Sequence, residues 1–205
     1  MRVIANKKRR FGSAGEKGFT LIEMLMAIAI VSILFGTVYG TFTNLNRSYT
    51  AETVKAGVQQ KTRIGVEFMV RDIRLAGLDP LGSASAGFIS ATHNSIQFTA
   101  DMNYDGDLND PFEIITYALN GSELEQTTAD LGTETLMDRV ADLNFSYLDA
   151  DENDLMNYAM SPPQVPANEL ADIRTVVISL TTQRPAGKDD PVSRTYSTRV
   201  RCRNL

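Results

Sequence analysis

The chain holds one cysteine, one histidine and no tryptophan in 205 residues. A lone Cys202 excludes an intrachain disulfide. Its place in an apolar, strand-like pattern reads as a small buried hydrophobe, with pairing to another chain as the alternative. His93 sits in a polar stretch and reads as a solvated side chain. Any Ser-His-Asp or Cys-His arrangement would have to use it, and no activating motif accompanies Cys202. A Gly-rich phosphate loop, zinc-ligand spacing and a nucleotide fingerprint are all missing. Carboxylates are plentiful, but spacing alone does not make a glycosidase cleft. The residues read as those of a non-enzyme.

Positive charge is also scarce once the N-terminus is set aside. Arg2, Lys7, Lys8, Arg9, Arg10 and Lys17 crowd the first 18 residues, opposed only by Glu16. Beyond Gly18, 14 basic residues face 24 acidic ones, a formal charge of −10. That balance argues against nucleic-acid binding through a basic surface. Between Phe19 and Leu45 the only charge is Glu23, inside an otherwise apolar run. At 1.5 Å per residue, about 22 such residues span roughly 33 Å, enough to cross a bilayer core. The basic leader is expected to stay cytoplasmic and send the C-terminal part outward. A carboxylate in hydrocarbon costs several kcal/mol unless paired, so Glu23 reads as a contact for a specific positive partner. A secretory signal peptide would be cut after its apolar core, whereas the candidate junction Lys17-Gly18-Phe19 precedes it.

Gly18-Phe19-Thr20-Leu21-Ile22-Glu23, followed by Met24-Leu25-Met26-Ala27-Ile28-Ala29-Ile30, resembles the prepilin signature of the type IV pilin family. The resemblance implies cleavage between Gly18 and Phe19 by a prepilin peptidase that also N-methylates Phe19. It implies that Glu23 pairs with the N-terminal amine of a neighbouring subunit. It further implies an α+β fold, with a long N-terminal helix packed against a C-terminal antiparallel β-sheet domain. Arg71-Asp72-Ile73-Arg74-Leu75-Ala76-Gly77 and the end Arg199-Val200-Arg201-Cys202-Arg203-Asn204-Leu205 look like PilW-type minor pilins, and more loosely like J-type pseudopilins of type II secretion.

The remaining pattern supports that layout. Leu45, Tyr49, Val54, Val58, Ile64, Phe68, Met69, Ile73 and Leu75 recur at helical spacing, with Gly77 as C-cap and Asp79-Pro80 as a stop. A helix from Phe19 to Ala76 would be about 87 Å long, weakened at Gly36, Gly40, Gly57 and Gly65. Strands are expected at 95–99, 113–119, 123–126, 141–148, 173–182 and 193–203, with Asn120-Gly121 as a hairpin turn. In the last strand Tyr196, Thr198, Val200 and Cys202 share one face; Arg194, Ser197, Arg199, Arg201 and Arg203 largely make the other. The segments 82–87 and 158–168 read as loops. The organisation is a leader over 1–18, a transmembrane or filament-core helix over 19–45, an amphipathic half over 46–77 and a β-rich domain over 78–205.

The stretch Asp101-Met102-Asn103-Tyr104-Asp105-Gly106 matches the first half of a calcium loop. Calcium takes six to eight oxygen ligands, which alternate side chains of a curled loop can supply. Asp101, Asn103 and Asp105 are the expected side-chain ligands, Asp107 a carbonyl ligand, and Asn109 a ligand through water. Phe112 stands where a bidentate glutamate belongs, so Asp110 or Glu113 would substitute. The alternative is a polar hairpin loop held by Asx turns, without metal. A second acidic stretch, Asp149 to Asp154, reads as a solvated turn.

The resemblance implies a minor type IV pilin that takes part in pilus assembly and priming as a processed, inner-membrane-inserted filament subunit, with the peptidase and other major and minor pilins as partners. From the membrane it would pass to a pilus or pseudopilus at the cell surface or periplasm. A type II secretion pseudopilin and a tethered, calcium-dependent adhesin are the alternatives.

Overall fold

The computed structural model describes residues 18–186 and 189–205, with the side chains of 186–190 left aside. Of the leader, only Gly18 lies among the described residues. Helix α1 runs over Leu21–Ile73. Eight strands follow: β1 (Phe88–Ala91), β2 (Ser95–Thr99), β3 (Ile114–Asn120), β4 (Glu123–Thr128), β5 (Gly132–Asp138), β6 (Val140–Leu148), β7 (Thr175–Ala186) and β8 (Asp189–Arg201). All pairings are antiparallel, in a five-stranded sheet β1-β2-β3-β4-β5 and a three-stranded sheet β6-β7-β8. The fold is α+β, a long N-terminal helix with antiparallel sheets. The chain divides into two compact units, one ending at Ser48 and one comprising Tyr49–Leu205.

In the first unit α1 leaves its apolar side chains uncovered. Phe19, Leu21, Ile33, Phe35, Val38 and Phe42 are all exposed. Its hydroxyls return to the helix: Ser32 donates to the Ile28 carbonyl, Thr37 to Leu34, Thr41 to Thr37 and Thr43 to Gly40. No water is needed to satisfy those donors, which suits a hydrocarbon surrounding. This helix is long and apolar enough to cross a membrane.

In the second unit α1 buries Val58, Thr62, Gly65, Val66, Met69 and Ile73, a 3–4 residue rhythm that makes one stripe. The sequence pattern placed Ile64 and Phe68 on that stripe, but both are exposed. The stripe is instead completed by Thr62, whose hydroxyl meets that of Thr182, and by Gly65. A Cβ at Gly65 would collide with the end of the Met137 side chain, so the missing side chain lets β5 approach the helix. The core beneath comprises Ile96, Phe98, Tyr117, Leu124, Leu143, Phe145, Tyr147, Ile178 and Leu180, among others.

Most expected strands are present. The 120–121 hairpin is real, but its two-residue loop is Gly121-Ser122, between paired Asn120 and Glu123, with Gly121 at φ +60°. Glycine at the first loop position suits a type II′ turn. Strands β1 and β5 went unread in the sequence. β5 exposes Thr133, Glu134 and Thr135 and buries only Met137, so apolar alternation never marks it. The helix stops at Ile73 rather than Ala76 and continues as turns, with the Leu75 N–H donating to the Asp72 carbonyl and the Ala76 N–H to the Ile73 carbonyl. Gly77 adopts φ +79°, but its N–H donates to the Thr99 carbonyl and not back to the helix, so it ties the turn to β2 rather than capping α1.

Candidate functional site

Gly18, Phe19 and Thr20 precede the helix and are exposed, with Phe19 at 87%. The Gly18–Phe19 bond is therefore exposed, with no described residue within 4 Å of where a Gly18 Cβ would stand. Thr20 and Glu23 form a reciprocal cap. Glu23 Oε2 accepts the Thr20 N–H at 2.8 Å and its hydroxyl at 2.9 Å, while Thr20 Oγ1 accepts the Glu23 N–H at 3.3 Å. This is a capping box: two orphan amides of the first turn are satisfied, and the acid sits at the positive helix end. Thr20 was overlooked in the sequence reading, although Thr-x-x-Glu before an apolar run is a recognised signal. The geometry holds the one acid of the apolar segment in a defined rotamer beside the exposed junction.

Residues 13–39 match the family described as prokaryotic N-terminal methylation motif. The chain carries a prepilin-type N-terminus. Among curated proteins, none matches it. The motif covers the junction, the cap and most of the apolar segment, so it supports a type IV prepilin-like protein processed by prepilin peptidase and assembled with other pilins. Its apolar helix is consistent with an inner-membrane anchor.

The loop between β2 and β3 in this prepilin-like chain is tightly self-bonded. Asp101 and Glu113 are buried. Asp101 accepts the N–H groups of Tyr104 at 2.6 Å and Gly106 at 3.0 Å. Glu113 accepts those of Met102 at 3.1 Å and Asp110 at 2.9 Å. Asn103, Asp105 and Asp107 each accept the N–H two residues on, from Asp105, Asp107 and Asn109 respectively. These are the Asx turns that a polar hairpin loop uses. Asn103 also donates to Asp105 and Asp110. One carboxylate oxygen from each of Asp101, Asp105 and Glu113 lies within 4.8 Å of the others, and the same holds for Asp105, Asp107 and Asp110. Contact with the Asp105 carboxyl, then burial, raises the Asp110 pKa. Asp105 is held low, first by the Asp107 N–H and then by the Asn103 amide. Tyr104 and Phe112 both adopt φ +66°.

The second acidic stretch folds on Asp149, which accepts the side-chain amide and N–H of Asn153 and the N–H of Asp151. Those donors, the Asn153 side chain first, hold its pKa below 3.8 against burial. Burial opposes ionisation of Asp79 as well, yet the N–H groups of Ala84, Ser85, Gly82 and Ser83 bring its pKa below 3.8. Depressed carboxyl values mean stability that is complete above pH 3.8 and lost as pH falls through the lower folded values. The raised Asp110 works the other way and gains on acidification. With Asp79, Asp105 and Asp149 on one side and Asp110 on the other, the melting temperature is expected to fall from pH 5 to pH 3. Asp79→Asn should flatten that slope in thermal melts; an unchanged slope would remove Asp79 from the account.

His93 does not behave as a solvated side chain. Its Nδ1 is buried with no partner among the described residues. Its backbone joins two elements: the N–H donates to the Pro163 carbonyl, and its carbonyl accepts the Phe145 N–H at 2.7 Å. Cys202 is buried, and burial pushes its thiol pKa up to about 12, so it is not an activated nucleophile. Asp72 is half-buried and accepts from the Tyr117 hydroxyl at 2.6 Å and from Gln126 at 3.3 Å. It therefore ties the helix end to β3 and β4, beyond a solvated, salt-bridged role. In β8, Arg194 pairs with Thr182, whose side chain is buried, and so leaves the face on which Arg199 and Arg201 stand.

Proposed function

We propose that the chain is a minor type IV pilin that takes part in pilus assembly and priming as a processed, membrane-inserted filament subunit. The observation that carries the reading is an exposed Gly18–Phe19 junction next to a capped Glu23, the lone acid of the uncovered apolar segment 19–45. After cleavage, Phe19 offers an amine and Glu23 a carboxylate. The two can be buried together only if they neutralise each other, which sets the register between subunits. The apolar helices then form the filament core, and the β domain determines what the filament touches. The PilW-like segments favour a minor pilin, and no chemistry is assigned to the chain itself. Deleting the gene and counting surface pili by electron microscopy tests this. Loss of pili with protein secretion intact, restored by the wild-type gene, is the expected result. Normal pili with lost secretion would move the chain to a pseudopilus.

Within this reading the 101–113 loop is the place for a calcium ion. The support is chemical: Asp101, Asp105 and Glu113 offer hard oxygens within 4.8 Å of one another, two of them on buried side chains. Calcium at about 100 times its Kd should stabilise the protein by about 2.7 kcal/mol, seen as a rise in melting temperature that Asp105→Asn reduces. A melting temperature indifferent to calcium would leave the loop as the Asx-turn hairpin that its hydrogen bonds already describe.

A further inference from the structure

Strand β5 ends the five-stranded sheet and has a neighbour on one side only, β4. Beyond that ladder, Gly132–Asp138 make no backbone hydrogen bond among the described residues. A free edge of this kind is a template for another chain, and lysine, proline or a bulge usually guards it. Thr133, Glu134 and Thr135 are exposed, and no lysine or proline stands among them. The one irregularity comes later, where a shift between Leu124 and Glu125 leaves Leu136 unpaired. The open edge of β8, by contrast, carries Pro191 and the exposed Arg199 and Arg201. Beside β5, helix α1 turns an apolar flank outward: Ile64 is 43% exposed and Phe68, about one turn on, 52%. Lys61 and Ile64 of the helix, with Thr135, Leu136, Met137 and Asp138 of β5, line an open groove of about 340 Å³, a size at which clefts take ligands. The β4–β5 hairpin is acidic, with five acids and no base over residues 123–138. Asp138 is answered by Lys61 at 3.7 Å and by Arg139 at 3.5 Å. Glu123, Glu125, Asp130 and Glu134 have no ion pair among the described residues. Glu123 and Glu125 stand on the face away from the buried Leu124.

We propose that the β5 edge and its groove dock an extended segment of a different protein, one in which apolar and basic residues alternate. The segment adds a strand beside β5. Its main-chain groups pair with the free edge, which supplies affinity, and its side chains supply selectivity. Because side chains alternate across a strand, one set enters the groove against Ile64 and Leu136 while the other lies on the side of Glu123 and Glu125. Charge complementarity decides the second set: four unanswered acids border the edge, so basic residues fit and acidic ones do not. Pairing the β5 edges of two copies would set these acids against one another, which argues for a partner other than this chain. The inference goes beyond the filament reading and holds for a pilus or a pseudopilus subunit alike.

The test uses the full-length chain in detergent and a fluorescent probe peptide of valine-lysine repeats. Anisotropy should show binding. With the peptide at about ten times its Kd, amide hydrogen exchange over 132–138 should slow about tenfold. The same peptide N-methylated at every residue keeps its charge but has no main-chain donor, and should bind about tenfold more weakly or worse. That comparison needs no variant of the protein. Ile64→Lys with Glu134→Lys should weaken binding of the unmethylated peptide about tenfold, since like charges then meet. Both side chains are exposed, and an unchanged melting temperature checks that the double variant folds. Equal binding of the N-methylated peptide would reduce the contact to charge attraction and overturn the proposal. So would binding without protection of 132–138. Protection of 132–138 that grows with the concentration of the chain alone would give the edge to a second copy, and overturns the proposal as well.

Discussion

Glu23→Gln is expected to leave insertion and cleavage intact and to abolish incorporation into filaments. The argument separates two roles of one side chain. In the single subunit, Glu23 caps α1 by accepting the Thr20 N–H and hydroxyl. Glutamine preserves that role, since capping boxes accept Glu or Gln at this position. In an assembly, the carboxylate is the only negative charge available to neutralise a buried amine within the apolar segment. Glutamine cannot do this, and leaving one buried charge without its partner costs about 3–5 kcal/mol. At every subunit contact that is a loss of more than a hundredfold in association, using about 1.4 kcal/mol per tenfold. Glu23→Ala should fail equally and also lose the cap. Thr20→Val is the converse: it keeps the charge but removes a cap worth about 1 kcal/mol. Its filament yield should fall only partly. Incorporation is measured by shearing filaments from cells and immunoblotting the sheared fraction. Wild-type amounts of the Glu23→Gln chain there would sink the charge-pairing account and leave Glu23 as a helix cap.

Tyr147→Ala should lower the stability of the β domain by about 3–5 kcal/mol. The ring is fully buried beside Phe145, whose ring centroid lies 6.4 Å away. Its hydroxyl donates to the carbonyls of Thr92 at 2.9 Å and Ser95 at 3.3 Å. The side chain therefore pins β6 to the β1–β2 turn, where the His93 carbonyl also accepts the Phe145 N–H. Tyr147→Phe keeps the packing and loses only that bond, so about 1 kcal/mol is expected. Burial holds the phenol well above its ordinary pKa, so it stays a donor throughout the accessible pH range. Thermal melting of the full-length proteins in detergent gives both differences. Equal losses for Ala and Phe would mean that the hydroxyl, rather than the ring, holds this junction.

Some of this protein is written locally in its residues. A membrane-length apolar run, a lone acid within it and a glycine before it are one-dimensional features. They needed no fold to be read, and the motif at 13–39 coincides with them. Helix α1 and the strands with apolar alternation are local in the same sense, because helical and strand periods repeat within a few residues. Even the Thr20–Glu23 cap was available as a spacing.

Other features depend on residues far apart in sequence, and only the tertiary structure decided them. Which helix face is buried turned on Gly65, whose missing side chain admits Met137 from β5, rather than on the apolar Ile64 and Phe68. β5 exists because β4 offers it a ladder, not because its own residues alternate. Asp72, read as one of the charges along a helix face, became a helix-to-sheet tie because Tyr117 and Gln126 arrive beside it from β3 and β4. His93, polar in its neighbourhood, has its backbone held between Pro163 and Phe145, which come from distant segments. Arg194 and Arg199 look alike along the strand, yet pairing with a buried Thr182 sends one to the helix side and leaves the other outside. Burial and pairing are properties of what the chain brings together, and no local pattern encodes the partner.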